Sequence, residues 1–429
     1  MNIVMLTNTY TPHVGGVARS VEAFAAEYRR RGHRVLVVAP EFADQPQDEP
    51  EVVRIPAIQN FNGSDFSAVL PVSGLLTEAL DAFRPGLVHS HHPYLLGMTA
   101  LRVARYRELP LVFTHHTLYE QYTHYVPGDS PALRRFVIEL ATRYANLCDQ
   151  VFAPSESIAT LLRERGVEAP IAVVPTGVNM ERFAQGDAAG FRRRMGIPDN
   201  AFVVGHLGRL APEKNLVFLS EAVAAFLKTA PRAHFLLVGK GSSEADIRAI
   251  FERDGLSERL HVAGILEPPQ LADAYHAMDV FAFASRSETQ GMVLTEAMAA
   301  GVPVVGLDAP GVREVVKDGR NGRLLHGEDT AAFTAALQWV ADLPRIERQA
   351  LKQSARDTAE DFSKPRSAAT ALGCYEALRA RTLVGRSEKD AQWEHVLHLI
   401  VAEWAILKGT AGAAVAAFGG PETHDRGPV

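Results

Sequence analysis

Hydrophobic and polar positions sort the chain into short, almost wholly apolar runs separated by segments with helical spacing. Strand-like runs fall at residues 2–8, 33–40, 51–58, 86–92, 111–117, 150–155 and 171–176. Helical patterns lie between several of them, at residues 17–31 and 101–107 for instance. Residues 130–147 form another: Ser130 suits a cap, Pro131 suits the first turn, and Leu133, Phe136, Val137, Leu140, Tyr144 and Leu147 recur at helical spacing. Apolar strands alternating with helices predict a parallel sheet covered on both faces.

The pattern then restarts. Strand-like runs recur at residues 202–210, 234–240, 260–265, 280–285 and 302–307, with helices expected at 215–229, 244–253, 269–277 and 291–300. The polar, Arg-rich stretch 185–200 reads as a linker. The expected class is therefore α/β, with two doubly wound Rossmann-like domains, residues 1–184 and 185–375, and a ligand cleft between them. Beyond Phe362 the chain reads as helical, at 364–383 and at 391–407, where Trp393, Val396, Leu397, Ile400, Trp404 and Leu407 mark a packing face. Residues 376–429 are expected to pack back on the first domain, with a disordered tail from about residue 419.

Composition narrows the class. The 429 residues are 47% hydrophobic and 22% charged, enough apolar material for large cores. A formal net charge of −6 argues against a nucleic-acid partner. No apolar run reaches the length of a membrane span, so membrane contact, if any, is expected to be peripheral. The start of the chain runs straight into a strand pattern, and no signal peptide is expected. The two cysteines, Cys148 and Cys374, have no metal-binding spacing and read as reduced, buried thiols of a cytoplasmic protein.

Three stretches carry candidate chemistry. In TNTYTPHVGGVARS, Gly15 and Gly16 open a helix without forming GxGxxG. Such a start lets a bulky anionic group approach the backbone, although a plain strand-to-helix turn would look the same. In VVGHLGRLAPEKNL, Arg209 and Lys214 follow a strand and suit a diphosphate; Lys214 is the first lysine of the chain. The alternative there is a solvated loop pairing Glu213 with Lys214. In SRSETQGMVLTEAMAAG, Glu288 precedes a helix start at Gly291 and Glu296 lies inside that helix. Backbone N–H groups from Gln290 to Val293 would face a diphosphate, with Glu288 at sugar hydroxyls and Glu296 at ribose hydroxyls. A capping role for Glu288 and a solvated one for Glu296 remain the alternatives.

Together, GRLAPEKN, SETQGMVLTEAMAAGVPVVG and GVREVVKDGRNGRLL resemble the donor domain of the family 4 retaining glycosyltransferases, whose fold is the two-domain GT-B type. The resemblance runs over residues 1–383. It implies an E-x7-E signature at Glu288 and Glu296, diphosphate contacts from Arg209 and Lys214, and a Gly15-Gly16 loop facing the donor. It also implies base contacts near Ile265 and donor contacts along Thr289, Gln290, Gly291, Met292 and Val293. His116 matches a histidine that contacts the donor sugar in this family. Glu288, His116, Arg209 and Lys214 are thus the implied catalytic group, acting on a nucleotide sugar without a metal or other cofactor.

The first domain should hold the acceptor. Its segment FTHHTLYEQYTHYVPG carries His115, Tyr119, Tyr122, His124 and Tyr125, which read as a mixed apolar and polar rim around a cleft; packing is the alternative for Tyr122 and Tyr125. With SETQG, this segment looks most like the branch that transfers glucose from UDP-glucose to diacylglycerol, which implies a peripheral place on the inner face of the cell membrane. One departure stands out: residues 1–183 hold about as many acids as arginines, so basicity reduces to local clusters such as Arg29, Arg30 and Arg31, Arg102, Arg105 and Arg107, or Arg134 and Arg135. Phosphatidylinositol, inositol phosphate, a soluble sugar and a polysaccharide intermediate are the alternative acceptors. A binding-only module, an epimerase and a phosphorylase are the alternative functions; the last has no recognisable pyridoxal-phosphate lysine here.

Overall fold

The structure is a computed structural model that describes residues 1–12, 15–42, 44–58, 68–69, 74–121, 130–286 and 288–380. The first sheet contains β1 (Asn2–Leu6), β2 (Arg34–Pro40) and β3 (Val52–Ile55), flanked on the other side by β6 (Leu87–Ser90), β7 (Leu111–Thr114), β8 (Gln150–Ala153) and β9 (Ile171–Val173). Its order is β3-β2-β1-β6-β7-β8-β9, every neighbouring pair parallel. A small antiparallel pair, β4 (Ala57–Ile58) and β5 (Ala68–Val69), stands apart. The second sheet runs β12 (Leu260–Gly264), β11 (Ala233–Val238), β10 (Phe202–Leu207), β13 (Val280–Phe283), β14 (Val304–Leu307), β15 (Gly322–Leu325), again all parallel.

Alternation along the strands explains why they are apolar throughout. In β1, Val4 and Leu6 enter one core while Ile3 and Met5 enter the core on the opposite face. In β11, Leu236 and Val238 face one core and Phe235 and Leu237 the other. Helices cover both faces of each sheet, so successive side chains are all buried.

The chain crosses between domains twice, side by side. Val178 N donates to Phe362 O at 2.8 Å, and Lys364 N donates to Val178 O at 3.0 Å. A Cβ on Gly177 would sit 2.2 Å from Lys364 Cα, so this close approach requires glycine. Helix Lys364–Ala380 then lies on the first sheet, with Ala368, Ala371, Leu372, Tyr375 and Leu378 in the same core as Ile3, Tyr28 and Val37. The return to the first domain therefore begins near Ser363, and the expected boundary at residue 375 falls inside this helix.

Other expectations need correction. Residues 185–200 are no loose linker: they contain helix Ala188–Met195, capped by Asp187 Oδ1 accepting from Gly190 N at 2.7 Å and closed by a left-handed Gly196. Phe191 buries into the second core, and Arg192 donates to Ala277 O and Asp279. The arginines that looked like linker polarity include this anchor. The single strand expected at 51–58 is broken at Pro56, which has no N–H for a ladder. Helix Leu96–Tyr106 starts earlier than its local pattern suggests, because Leu96 N is capped by Asn8 Oδ1 from β1's end at 3.0 Å. Strand β15 and helices Thr330–Asp342 and Arg345–Asp361 add elements that the sequence pattern did not suggest. The stretches 391–407 and 419–429 lie outside the described residues. Neither Cys148 nor Cys374 forms a disulfide; Cys148 is buried as expected, whereas Cys374 is only half-buried.

Candidate functional site

The carboxyl ends of the two sheets meet around a cavity of about 330 Å³. Each sheet delivers its residues by the loops that leave its strands: His116, Thr117 and Leu118 after β7, Pro154 after β8, Thr176 after β9, Lys214 after β10, and Glu288 through Met292 after β13. Gly16 and Val17 complete the wall at the start of helix Gly16–Arg30. Gly15 caps that helix in an extended conformation without a side-chain acceptor. A Cβ on Gly16 would sit 3.5 Å from Met292 Cε, so the two glycine-bearing loops touch across the cleft.

Lys214 Nζ donates to Glu288 Oε1 at 2.5 Å, with the two side chains 16% and 17% exposed. The pair offsets the desolvation of two charges in a partly buried wall. A diphosphate would compete with Glu288 for Lys214, while a neutral polyol would use the acceptor lone pairs of Glu288. Arg209 takes a different place. Its side chain is 50% exposed and donates to Glu213 at 2.5 Å, so it stands on the rim and is not among the described lining residues.

Loop 288–291 also binds the domains together. Thr289 Oγ1 donates to His116 O at 3.0 Å, and Ser155 Oγ donates to Thr289 O at 2.7 Å. The Gln290 side chain accepts from Thr176 N at 2.6 Å and donates to Thr176 O at 2.5 Å, an amide clasp closed in both directions. Gly291, at φ 71°, turns the chain into helix Met292–Ala299. A Cβ on Gly311 would come 2.8 Å from the Gln290 backbone, which fixes the loop from behind.

Glu296 does not share the cavity. Its carboxylate accepts from Tyr275 OH at 2.8 Å and is not among the described lining residues. Burial pushes its pKa up, while the Tyr275 hydrogen bond and the charges of Arg19, Arg182 and Lys364 pull it down. Of the two carboxylates expected along one ligand, Glu288 lines the cavity and Glu296 is engaged by Tyr275. Ile265, 70% exposed just beyond β12, is likewise outside it. Val293 lies on the first turn of the helix, its carbonyl accepting from Tyr275 OH at 3.4 Å.

Histidines fill the first-domain side. His116 lines the cavity, and its Nε2 lies 2.9 Å from His91 Nδ1. Burial holds His89, His92 and His115 at about 3 and pushes His91 and His116 well below the usual imidazole range. His115 sits behind the wall, 1% exposed, its ring edge-on to Tyr119 at 5.7 Å. Tyr122, His124 and Tyr125 lie outside the described residues. Across the cleft, buried His206 is lowered to about 4, chiefly by burial, with the Lys214 charge adding to it. Among the described residues, no group of three or more His, Cys, Asp or Glu is placed to hold a metal ion.

Ser155, Thr176, His91 and His206 were not legible as site residues. All four fall within runs that read as strands, whose neighbours are set by the sheet order.

Residues 14–182 match the profile described as Glycosyltransferase Family 4, and residues 188–358 the profile described as Glycosyl transferases group 1. A GDP-mannose-dependent alpha-mannosyltransferase of Mycobacterium tuberculosis is 30% identical over 396 residues, 89% of this chain and 98% of that protein. The chain belongs to glycosyltransferase family 4. An alpha-monoglucosyldiacylglycerol synthase of Streptococcus pneumoniae is 28% identical over 371 residues, 85% of this chain and 84% of that protein. Among solved structures, Anabaena HepE in complex with UDP superposes with a TM-score of 0.71 at 22% identity, covering 88% of this chain and 100% of that one. The fold of this glycosyltransferase is thus GT-B, as its sequence motifs imply, and the enzyme transfers a sugar.

Proposed function

We propose that this glycosyltransferase moves a hexose, glucose first among the candidates, from a UDP-sugar to diacylglycerol with retention of anomeric configuration. The observation that carries the reading is the Lys214–Glu288 pair in a cavity walled by both domains, beside a helix start. In this reading Lys214 leaves Glu288 for the donor diphosphate, and Glu288 turns its oxygens to the sugar hydroxyls. As the anomeric bond breaks, charge grows on the leaving phosphate. Lys214, the backbone N–H groups after Gln290 and, from the rim, Arg209 meet that charge in place of a metal. The acceptor hydroxyl enters from the first-domain side, and the leaving phosphate oxygen takes its proton. The clasp at Gln290 keeps water out of the closed cleft.

The lipid acceptor is supported by the likeness to the glucosyldiacylglycerol synthase, and with it a peripheral place on the inner face of the membrane. No helix of the described residues is long and apolar enough to cross a membrane. Purified protein with labelled UDP-glucose and diacylglycerol in phosphatidylglycerol vesicles should yield an α-glucosyl lipid by mass spectrometry and NMR. The Glu288→Ala variant should lose roughly 100-fold or more in kcat. Transfer only to soluble acceptors would overturn the lipid reading, and near-normal turnover of Glu288→Ala would overturn the site. GDP-mannose is the second donor to supply, because the mannosyltransferase relative is matched over nearly its whole length.

A further inference from the structure

Behind His116 stands a column of imidazoles. The His89 and His91 rings lie 4.2 Å apart at 36°, and the His91 and His116 rings 5.2 Å apart at 23°. His89 is held at both nitrogens, Nε2 at 2.7 Å from Thr114 Oγ1 and Nδ1 at 2.7 Å from Tyr375 OH. Tyr375 comes from the returning helix and also meets Tyr28 OH at 3.2 Å. His91 is fully buried. Its Nδ1 lies 2.9 Å from His116 Nε2, while its Nε2 is buried without a partner among the described residues.

One proton lies between His91 and His116, and both rings are neutral because burial disfavours their charge. If His116 donated it, His91 would carry its own proton on Nε2, a buried N–H with no acceptor among the described residues. If His91 donates it, the unpaired atom is a lone pair. A buried N–H without an acceptor is the rarer and costlier defect. The second arrangement leaves the proton of His116 on Nδ1, because a neutral imidazole carries one N–H.

We infer that His91 is a positioning residue that locks His116 in its Nδ1–H tautomer, so that His116 offers an N–H donor to a hydroxyl oxygen of the sugar in the cavity. His91 itself does not touch substrate. Tyr375 and Thr114 fix the His89 ring against which the tilted His91 ring packs, so the orientation of His116 is set from the far side of the first domain. The sugar contact rests on the functional reading above; the tautomer does not.

The test is long-range ¹H–¹⁵N spectroscopy of the full chain labelled at histidine, with His116 assigned by difference from His116→Gln. His116 should show a protonated Nδ1 and a bare Nε2. In His91→Ala, which removes the donor and leaves room for a water to accept from Nε2, His116 should shift to the Nε2–H form that free imidazole favours. His91→Asn, whose amide nitrogen can take the place of Nδ1, should retain the Nδ1–H form. In turnover assays His91→Ala should lower kcat roughly tenfold, the worth of one hydrogen bond at the transition state, with KM for the nucleotide sugar little changed and His91→Asn largely restored. An Nε2–H tautomer in the unaltered protein, or an Nδ1–H form that survives in His91→Ala, would overturn the inference. Should His91→Ala not fold, the tautomer of the unaltered protein decides alone. Full activity of His116→Ala would remove the sugar contact and leave the tautomer result standing.

Discussion

Five neutral histidines at the first-domain strand ends have a consequence for stability. His89, His92 and His115 are lowered to about 3, and His91 and His116 well below the usual range, all chiefly by burial. In the unfolded chain each takes a proton near pH 6.5, while the native fold excludes it. As pH falls below about 6.5 the unfolded state binds more protons, and stability drops by up to about 1.4 kcal/mol per pH unit for each such histidine. Above pH 7 the same groups contribute no pH dependence. Urea midpoints should thus be level from pH 8 to 7 and fall steeply from 6.5 to 5, with a shallower fall in His92→Asn; a flat profile would contradict the burial. Glu288 and Lys214 were legible because residue type and near neighbours carry their signal. The His91–His116 contact was not. It spans 25 residues of sequence and exists only because β6 and β7 pair in the register Ser90 to Phe113. Glu296 shows the converse: its sequence spacing implied a ribose contact, and packing against Tyr275 decides where its carboxylate points.

At the scale of elements, the loop between β13 and helix Met292–Ala299 serves two purposes, walling the cavity and clasping the first domain. Gln290 makes the clasp, bonded at both ends to the Thr176 backbone. Truncating it to Ala leaves a buried N–H and C=O without partners, a cost of about 1–3 kcal/mol that falls on the closed arrangement. Neither domain core includes Gln290, so melting should hardly change. Gln290→Ala should instead enlarge the radius of gyration in small-angle scattering and raise KM for the nucleotide sugar about tenfold. An unchanged radius with unchanged KM would show that the clasp does not hold the domains. The strands and covering helices at this scale were readable because each follows from local spacing. What escaped depended on partners far away: the helix beginning at Leu96 is capped from β1's end, and the supposed linker is an anchored helix because Arg192 reaches Ala277 and Asp279.

The whole molecule is not two beads in series. The first sheet is completed by a helix that arrives only after the second domain has been built, and Leu372, Tyr375 and Leu378 fill its core beside Tyr28. Burying each of the two leucines is worth about 1.5–3 kcal/mol, and removing Tyr375 would also strip the hydroxyl partner of Tyr28 and His89. That sum approaches the whole stability of an ordinary domain. A chain ended after Phe362 should therefore lose or sharply lower the melting transition of the first domain. The second domain, whose two cores draw only on residues from Val178 to Ala359, should melt as before. Calorimetry of the two chains separates the outcomes, and two unshifted transitions would refute the dependence. A Tyr375→Phe variant refines the test: it keeps the packing and removes the hydroxyl. It should leave both domains folded, with only a small downward shift of the first transition. If truncation and Tyr375→Phe lowered that transition equally, the hydrogen-bonded column, rather than the buried apolar face of the helix, would be what the first domain borrows from the end of the chain.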